Sequence, residues 1–157
     1  MERLHPPLEL LIVDDSPTDV LMTREGFDYA RVSSHLNIVG DGVEAMDFLH
    51  HRGAYANAPR PDLILLDLNM PRMDGREVLA QIKASAELSS IPVVVWSTSK
   101  ADEDIRKSYE LQANCFISKP AGFDDFLHAI ESIKEFWLTS VTLPHSAMRT
   151  QNCQGLQ

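Results

Sequence analysis

Apolar residues fall in short, nearly unbroken runs at positions 8–13, 61–67, 91–97 and 114–118, with a weaker run at 35–39. Runs of this length without polar alternation suit strands covered on both faces. Between them the apolar spacing changes to that of helices. Residues 18–30 follow Ser16-Pro17, a capping serine with proline at the first turn. Residues 42–51 set Val43, Met46, Phe48 and Leu49 on or near one face, and residues 75–86 do the same with Val78, Leu79 and Ile82. Residues 102–113 open on three acids, favourable at a helix N-terminus. Residues 123–138 carry a broad stripe of Phe123, Phe126, Leu127, Ile130, Ile133 and Trp137. Strand and helix alternate five times, which predicts an α/β domain with a parallel sheet and helices on both of its faces.

The 157 residues suffice for one domain with a substantial core. The expected limits are a single domain over 1–144, with an apolar extension after about 138 and a flexible polar tail over 145–157. The composition, 44% hydrophobic and 24% charged, is that of a globular protein. The start of the chain lacks a signal-peptide pattern, so the expected location is the cytoplasm. A net charge of −9 argues against nucleic acid and anionic membranes as partners. Cys115 falls in a strand pattern and Cys153 in the polar tail, a spacing that gives neither a disulfide framework nor a metal site.

The chemistry collects at the strand ends. The first strand runs into Asp14-Asp15, the third ends at Asp67, the fourth at Ser97-Thr98, and the fifth at Lys119-Pro120. In an open parallel sheet these ends share one edge, where ligands bind. An isolated Asp after a strand usually caps a turn, and Ser97 or Lys119-Pro120 alone says little. Together they bring three carboxylates, a hydroxyl and one ammonium to a single edge. Clustered carboxylates call for a proton or a cation, and oxygen-only ligands suit Mg²⁺ better than zinc or copper. The lone lysine suits a further anion, which a phosphorylated carboxylate would supply.

These residues resemble the receiver domains of two-component response regulators. The resemblance spans about residues 8–138 and rests on Asp14, Asp15, Asp67, Ser97 and Lys119. The phosphoacceptor-loop pattern Asp67-Leu68-Asn69-Met70-Pro71, with Met73-Asp74-Gly75 after it, adds to it. It implies a flavodoxin-like, doubly wound five-stranded sheet of order 2-1-3-4-5, with Asp67 as the phosphoacceptor. It further implies Mg²⁺ held by Asp15, Asp67 and the Asn69 backbone carbonyl, with Asp14 acting through water. Lys119 would pair with the phosphoryl group, Ser97 would turn to hydrogen-bond it, and Phe116 would follow as the switch aromatic. The surface responding would be the fourth helix, fifth strand and fifth helix. Gln112 departs from the pattern, standing where glycine often ends the fourth helix.

The segments Arg60-Pro61-Asp62-Leu63-Ile64-Leu65-Leu66-Asp67-Leu68-Asn69, Tyr109-Glu110-Leu111-Gln112-Ala113-Asn114-Cys115 and Phe136-Trp137-Leu138-Thr139 are similar to the small response regulators that partner cyanobacterial phytochromes. That implies a phytochrome-type histidine kinase as partner and a homodimer. Phe136, Trp137 and Leu143 are the expected interface residues. No enzymatic activity beyond self-hydrolysis of the phosphoaspartate is expected. A non-phosphorylated pseudo-receiver acting as a dimeric interaction module is the alternative, but every key group is present. A flavin carrier would need a hydroxyl- and glycine-rich loop after the first strand, where this chain has Asp14-Asp15-Ser16-Pro17. An aspartate-nucleophile phosphatase would be expected to carry its nucleophile there, with a second Asp two residues on. The two Asp here are adjacent.

Overall fold

Alternate residues of the central strands feed two separate cores, one on each face of the sheet. The computed structural model describes residues 7–140, 143 and 144. The strands are β1 (Leu8–Val13), β2 (Ser34–Val39), β3 (Leu63–Leu66), β4 (Val93–Ser97) and β5 (Cys115–Ser118). All pair in parallel, in the order β2-β1-β3-β4-β5. The helices are α1 (Pro17–Tyr29), α2 (Gly42–Leu49), α3 (Gly75–Ala84), α4 (Asp102–Glu110) and α5 (Phe123–Ile133). The predicted sheet order and doubly wound architecture are those observed.

Leu11, Val13, Ile64, Leu66, Val93 and Val95 pack with Met46, Val78 and Ile82 on one face. Leu10, Ile12, Leu63, Leu65, Val94 and Trp96 pack with Phe27, Phe126 and Ile130 on the other. The side-chain period of two divides each strand between the two layers. Both faces being apolar, the strands read as continuous apolar runs in the sequence. Trp96, 1% exposed, sets its ring edge-on to Phe126 of α5 at 5.0 Å, and its Nε1–H donates to Thr23 Oγ1 of α1 at 3.4 Å.

Side chains cap the starts of α1, α2 and α3, whereas α4 and α5 follow Ala101 and Gly122 without a side-chain cap. Ser16 Oγ accepts from Asp19 N–H at 3.2 Å, with Pro17 in the first turn. Asp41 accepts from Glu44 N–H at 2.8 Å. Asp74 Oδ1 accepts from the N–H groups of Arg76 and Glu77. Helix ends differ from expectation. Residues 18–30, 42–51 and 102–113 were expected to be helical, yet α1, α2 and α4 stop at Tyr29, Leu49 and Glu110. Each is closed by a left-handed residue two positions on: Arg31 (φ 58), His51 (φ 58) and Gln112 (φ 71). The bonds follow one scheme. For α4, Gln112 N–H donates to Tyr109 O and Ala113 N–H to Ser108 O, both at 2.9 Å. Arg31 and Val32 close α1 in the same way, as His51 and Arg52 close α2.

The fifth helix also differs. Its α-helical part ends at Ile133, and Lys134–Ser140 continues as a π-helical segment. Phe123, expected in the apolar stripe, is 49% exposed. Trp137 and Leu143 join the chain's own core at 9% and 3% exposure, whereas Phe136 is 56% exposed. Of the three residues expected at an interface, Phe136 alone presents its side chain outward. Cys115 is half-buried and unpaired. Cys153 and the tail 145–157 lie outside the described residues. Among the described residues, no helix is long and apolar enough to cross a membrane.

Candidate functional site

The carboxyl edge of the sheet is built from backbone first. Asp67 N–H donates to Val13 O at 2.9 Å and Lys119 N–H to Ser97 O at 2.7 Å, so these strand ends meet in register. Gly75 N–H donates to Leu68 O at 2.9 Å, folding the loop after β3 back on itself. A Cβ at Gly75 would lie 2.1 Å from the Asp67 carbonyl oxygen, so only glycine lets α3 approach this closely. A Cβ at Gly42 would lie 2.2 Å from Met73 O, so α2 and this loop are in equally close contact. Arg72, itself left-handed at φ 64, places Nε and Nη2 on Asp41 Oδ2 at 2.9 and 2.6 Å, tying the loop to the start of α2.

The side chains of Asp14, Asp15, Asp67 and Lys119 converge at this edge. One carboxylate oxygen from each of Asp14, Asp15 and Asp67 lies within 4.8 Å of the others. Lys119 Nζ donates to Asp14 Oδ2 at 2.6 Å, Asp19 Oδ2 at 3.1 Å and Asp67 Oδ2 at 3.3 Å. Asp14, Asp67 and Lys119 are buried, and Asp15 is exposed. Burial pushes the Asp14 carboxyl above its ordinary range, and the Lys119 ammonium offsets this only in part. Burial alone would lower Lys119, but its bonds to Asp14, Asp67 and Asp19 outweigh it and hold the amine above its usual range. The lysine therefore stays charged at neutral pH.

Ser97 ends β4, fully buried, and its Oγ accepts from Ser99 N–H at 3.3 Å. Asn69 is exposed beside the cluster, and its N–H lies 3.4 Å from Asp67 Oδ1. Phe116 lies on β5 paired with Val95, half-buried against the core. Its N–H donates to the hydroxyl of Tyr109 of α4 at 3.2 Å. Asp19 was not expected as a partner of Lys119. Its signal was the Ser16 cap, which sets Asp19 in the first turn of α1, five residues after Asp14.

The donor set is made of carboxylate oxygens, with Asp15 open to water, and it fits a hard divalent cation. An added positive charge would relieve both the mutual repulsion of the carboxylates and the burial cost carried by Asp14.

Sheet order and acidic edge together define a receiver domain. The chain belongs to the response regulator receiver domain family, which it matches over residues 10–131. It is homologous to phytochrome response regulators. The response regulator Rcp1 of Synechocystis sp. is 46% identical over 143 residues, which are 91% of this chain and 97% of that protein. Two solved structures cover 88% of this chain and 99% of their own at 46% identity, each with a TM-score of 0.84. One is the Mn²⁺-bound form of Rcp1, and the other is the phosphorylated cyanobacterial phytochrome response regulator RcpA.

Proposed function

We propose that this response regulator accepts a phosphoryl group on Asp67 from a histidine kinase of the phytochrome type, with Mg²⁺ bound at the acidic edge. The observation that carries the reading is Lys119, a buried ammonium within 3.3 Å of both Asp14 and Asp67. A lysine so placed offsets part of the negative charge of the acidic edge and is already in reach of an anion attached to Asp67.

Asp15, Asp67 and the Asn69 carbonyl would hold the cation, with Asp14 acting through water. The cation supplies charge neutralisation of the phosphoryl oxygens in transit. An Asp67 carboxylate oxygen forms the new P–O bond as the P–N bond of a phosphohistidine breaks, its electron pair returning to the imidazole. Lys119 turns from Asp67 to a phosphoryl oxygen, exchanging one charge-assisted hydrogen bond for another. Ser97 donates its hydroxyl to a second oxygen, and Phe116 repacks toward the space left behind. The responding surface is α4, β5 and α5, and water returns Asp67 to the free acid by slow hydrolysis.

Homology to phytochrome response regulators and exposed Phe136 also support a homodimer built on the end of α5. Concentration-dependent sedimentation tests it: a monomer at tens of micromolar removes the dimer and leaves the phosphorylation reading intact.

The direct test is labelling from a phosphorylated kinase or acetyl phosphate. Wild type should label only with Mg²⁺ present, and Asp67→Asn should not label. Equal labelling of the two would sink the assignment.

A further inference from the structure

Helix α4 is lightly packed. It buries a single residue, Ser108, whereas α2 buries five and α3 four. Apolar contact therefore contributes little to holding it, and polar contacts at its two ends take on that role. At the C-terminal end, Tyr109 meets the Phe116 N–H. At the N-terminal end, Asp104 has both oxygens engaged. Oδ1 is paired with the guanidinium of Arg76, from the first turn of α3. Oδ2 accepts from Ser99 Oγ at 2.6 Å.

Ser99 ties this pair to the strand end. Its N–H donates to Ser97 Oγ at 3.3 Å, its carbonyl accepts from Ser118 Oγ at 3.1 Å, and its Oγ accepts from Ala101 N–H at 3.3 Å. A continuous chain thus runs from Arg76 through Asp104 and Ser99 to Ser97. Arg76 follows Gly75, the residue packed against the Asp67 carbonyl, so both ends of the chain stand at the acidic edge. Ser99's hydroxyl first, and Arg76 second, hold the Asp104 carboxyl below its ordinary range, so the chain is charged at neutral pH.

We propose that Arg76, Asp104 and Ser99 form a latch on the connection between β4 and α4, with Arg76 and Asp104 as positioning residues that set how readily the Ser97 hydroxyl turns toward an anion on Asp67. The proposal deepens the phosphorylation reading and rests on it. Turning Ser97 toward Asp67 draws its Oγ from the Ser99 N–H and pulls on a residue anchored by three further bonds. The latched form is therefore favoured while Asp67 is bare. An anion on Asp67 must overcome the latch, and its apparent affinity falls by the fraction of molecules left latched.

The test uses the full chain, with beryllofluoride and Mg²⁺ as the phosphoryl probe and calorimetry as the readout. Asp104→Asn and Arg76→Gln should each tighten beryllofluoride binding by roughly two- to five-fold, the range a partly exposed ion pair supports. Arg76→Lys should recover most of the wild-type affinity. In a Ser97→Ala background the same two substitutions should change nothing, because no hydroxyl remains to be released. A purely structural role for the pair would not depend on Ser97. Unchanged affinity in both variants overturns the proposal, as does tightening that persists without the Ser97 hydroxyl. Weakened binding in Arg76→Gln overturns it too, since Arg76 would then be attracting the anion itself. If wild type fails to bind the probe with Mg²⁺, the phosphorylation reading falls first and the latch falls with it.

Discussion

Lys119 Nζ lies 2.6 Å from Asp14 Oδ2, with both side chains 1% exposed. Loss of Lys119 would leave Asp14 buried without its counter-charge, and loss of Asp14 would take from the ammonium its shortest ion pair, leaving it Asp19 and Asp67. Asp14 and Lys119 thus hold each other in place, and Asp15, exposed at the mouth, is the acid whose charge can be altered with least harm to the fold.

Asp15→Asn should therefore stabilise the metal-free protein by up to about 1 kcal/mol, by relieving repulsion at a solvent-exposed position. The same change should abolish most of the stabilisation that added Mg²⁺ gives wild type, since a ligand bound only by the folded state raises its stability. Urea midpoints with and without Mg²⁺ measure both effects.

Gln112→Gly should raise stability by about 0.5–1 kcal/mol. At φ 71 a side chain is crowded against its own backbone, and glycine removes that strain at some cost in unfolded-state entropy. The bonds that close α4 are backbone bonds and remain. Arg31→Gly and His51→Gly should act in the same direction, and thermal melts of the single variants and of the triple variant check it.

Gly75→Ala should destabilise by about 1–3 kcal/mol, the ordinary cost of overpacking, because the new methyl meets backbone and not a mobile side chain. Labelling of Asp67 should fall as well, since the displaced atom is its own carbonyl oxygen. A variant as stable as wild type would contradict the close approach of α3.

Asp41 predicts a limb of acid sensitivity. Burial pushes its carboxyl up, but the Glu44 N–H and the Arg72 guanidinium outweigh this and hold it below the ordinary value of 3.8. A carboxyl lowered by folding stabilises the protein above its unfolded pKa. That contribution is lost as pH falls through the lower, folded value. Asp41→Asn keeps a capping oxygen but no charge, so its stability should fall less steeply below about pH 4 than that of wild type. Urea unfolding between pH 7 and pH 3 makes the comparison.

The strands and the acidic edge were legible because each rests on a local signal. Apolar runs such as Leu63-Ile64-Leu65-Leu66 admit few other conformations, and an acid or lysine placed after a strand must lie at the sheet's carboxyl edge. The helix ends were not legible, for a definite reason. Glycine is the residue that announces a left-handed stop, and Arg31, His51 and Gln112 adopt that conformation without it. Apolar residues continue past the stops of α1 and α4, and no glycine or proline stands at the stop of α2, so the pattern overran by one to three residues. Proline shortened two strands: Pro61 and Pro92 have no N–H to give a ladder, and β3 and β4 begin only after them. The link from Arg76 to Asp104 could not be read at all, because it joins two helices far apart in sequence through surface charges that read individually as solvated.

The indole next to Ser97 makes the chain its own optical instrument. Trp96 touches α1 through Thr23 and α5 through Phe126, so its emission should register any shift of β4 against either helix. Occupancy of the acidic edge could then be followed in real time without attaching a dye, with Trp137→Phe leaving a single emitter.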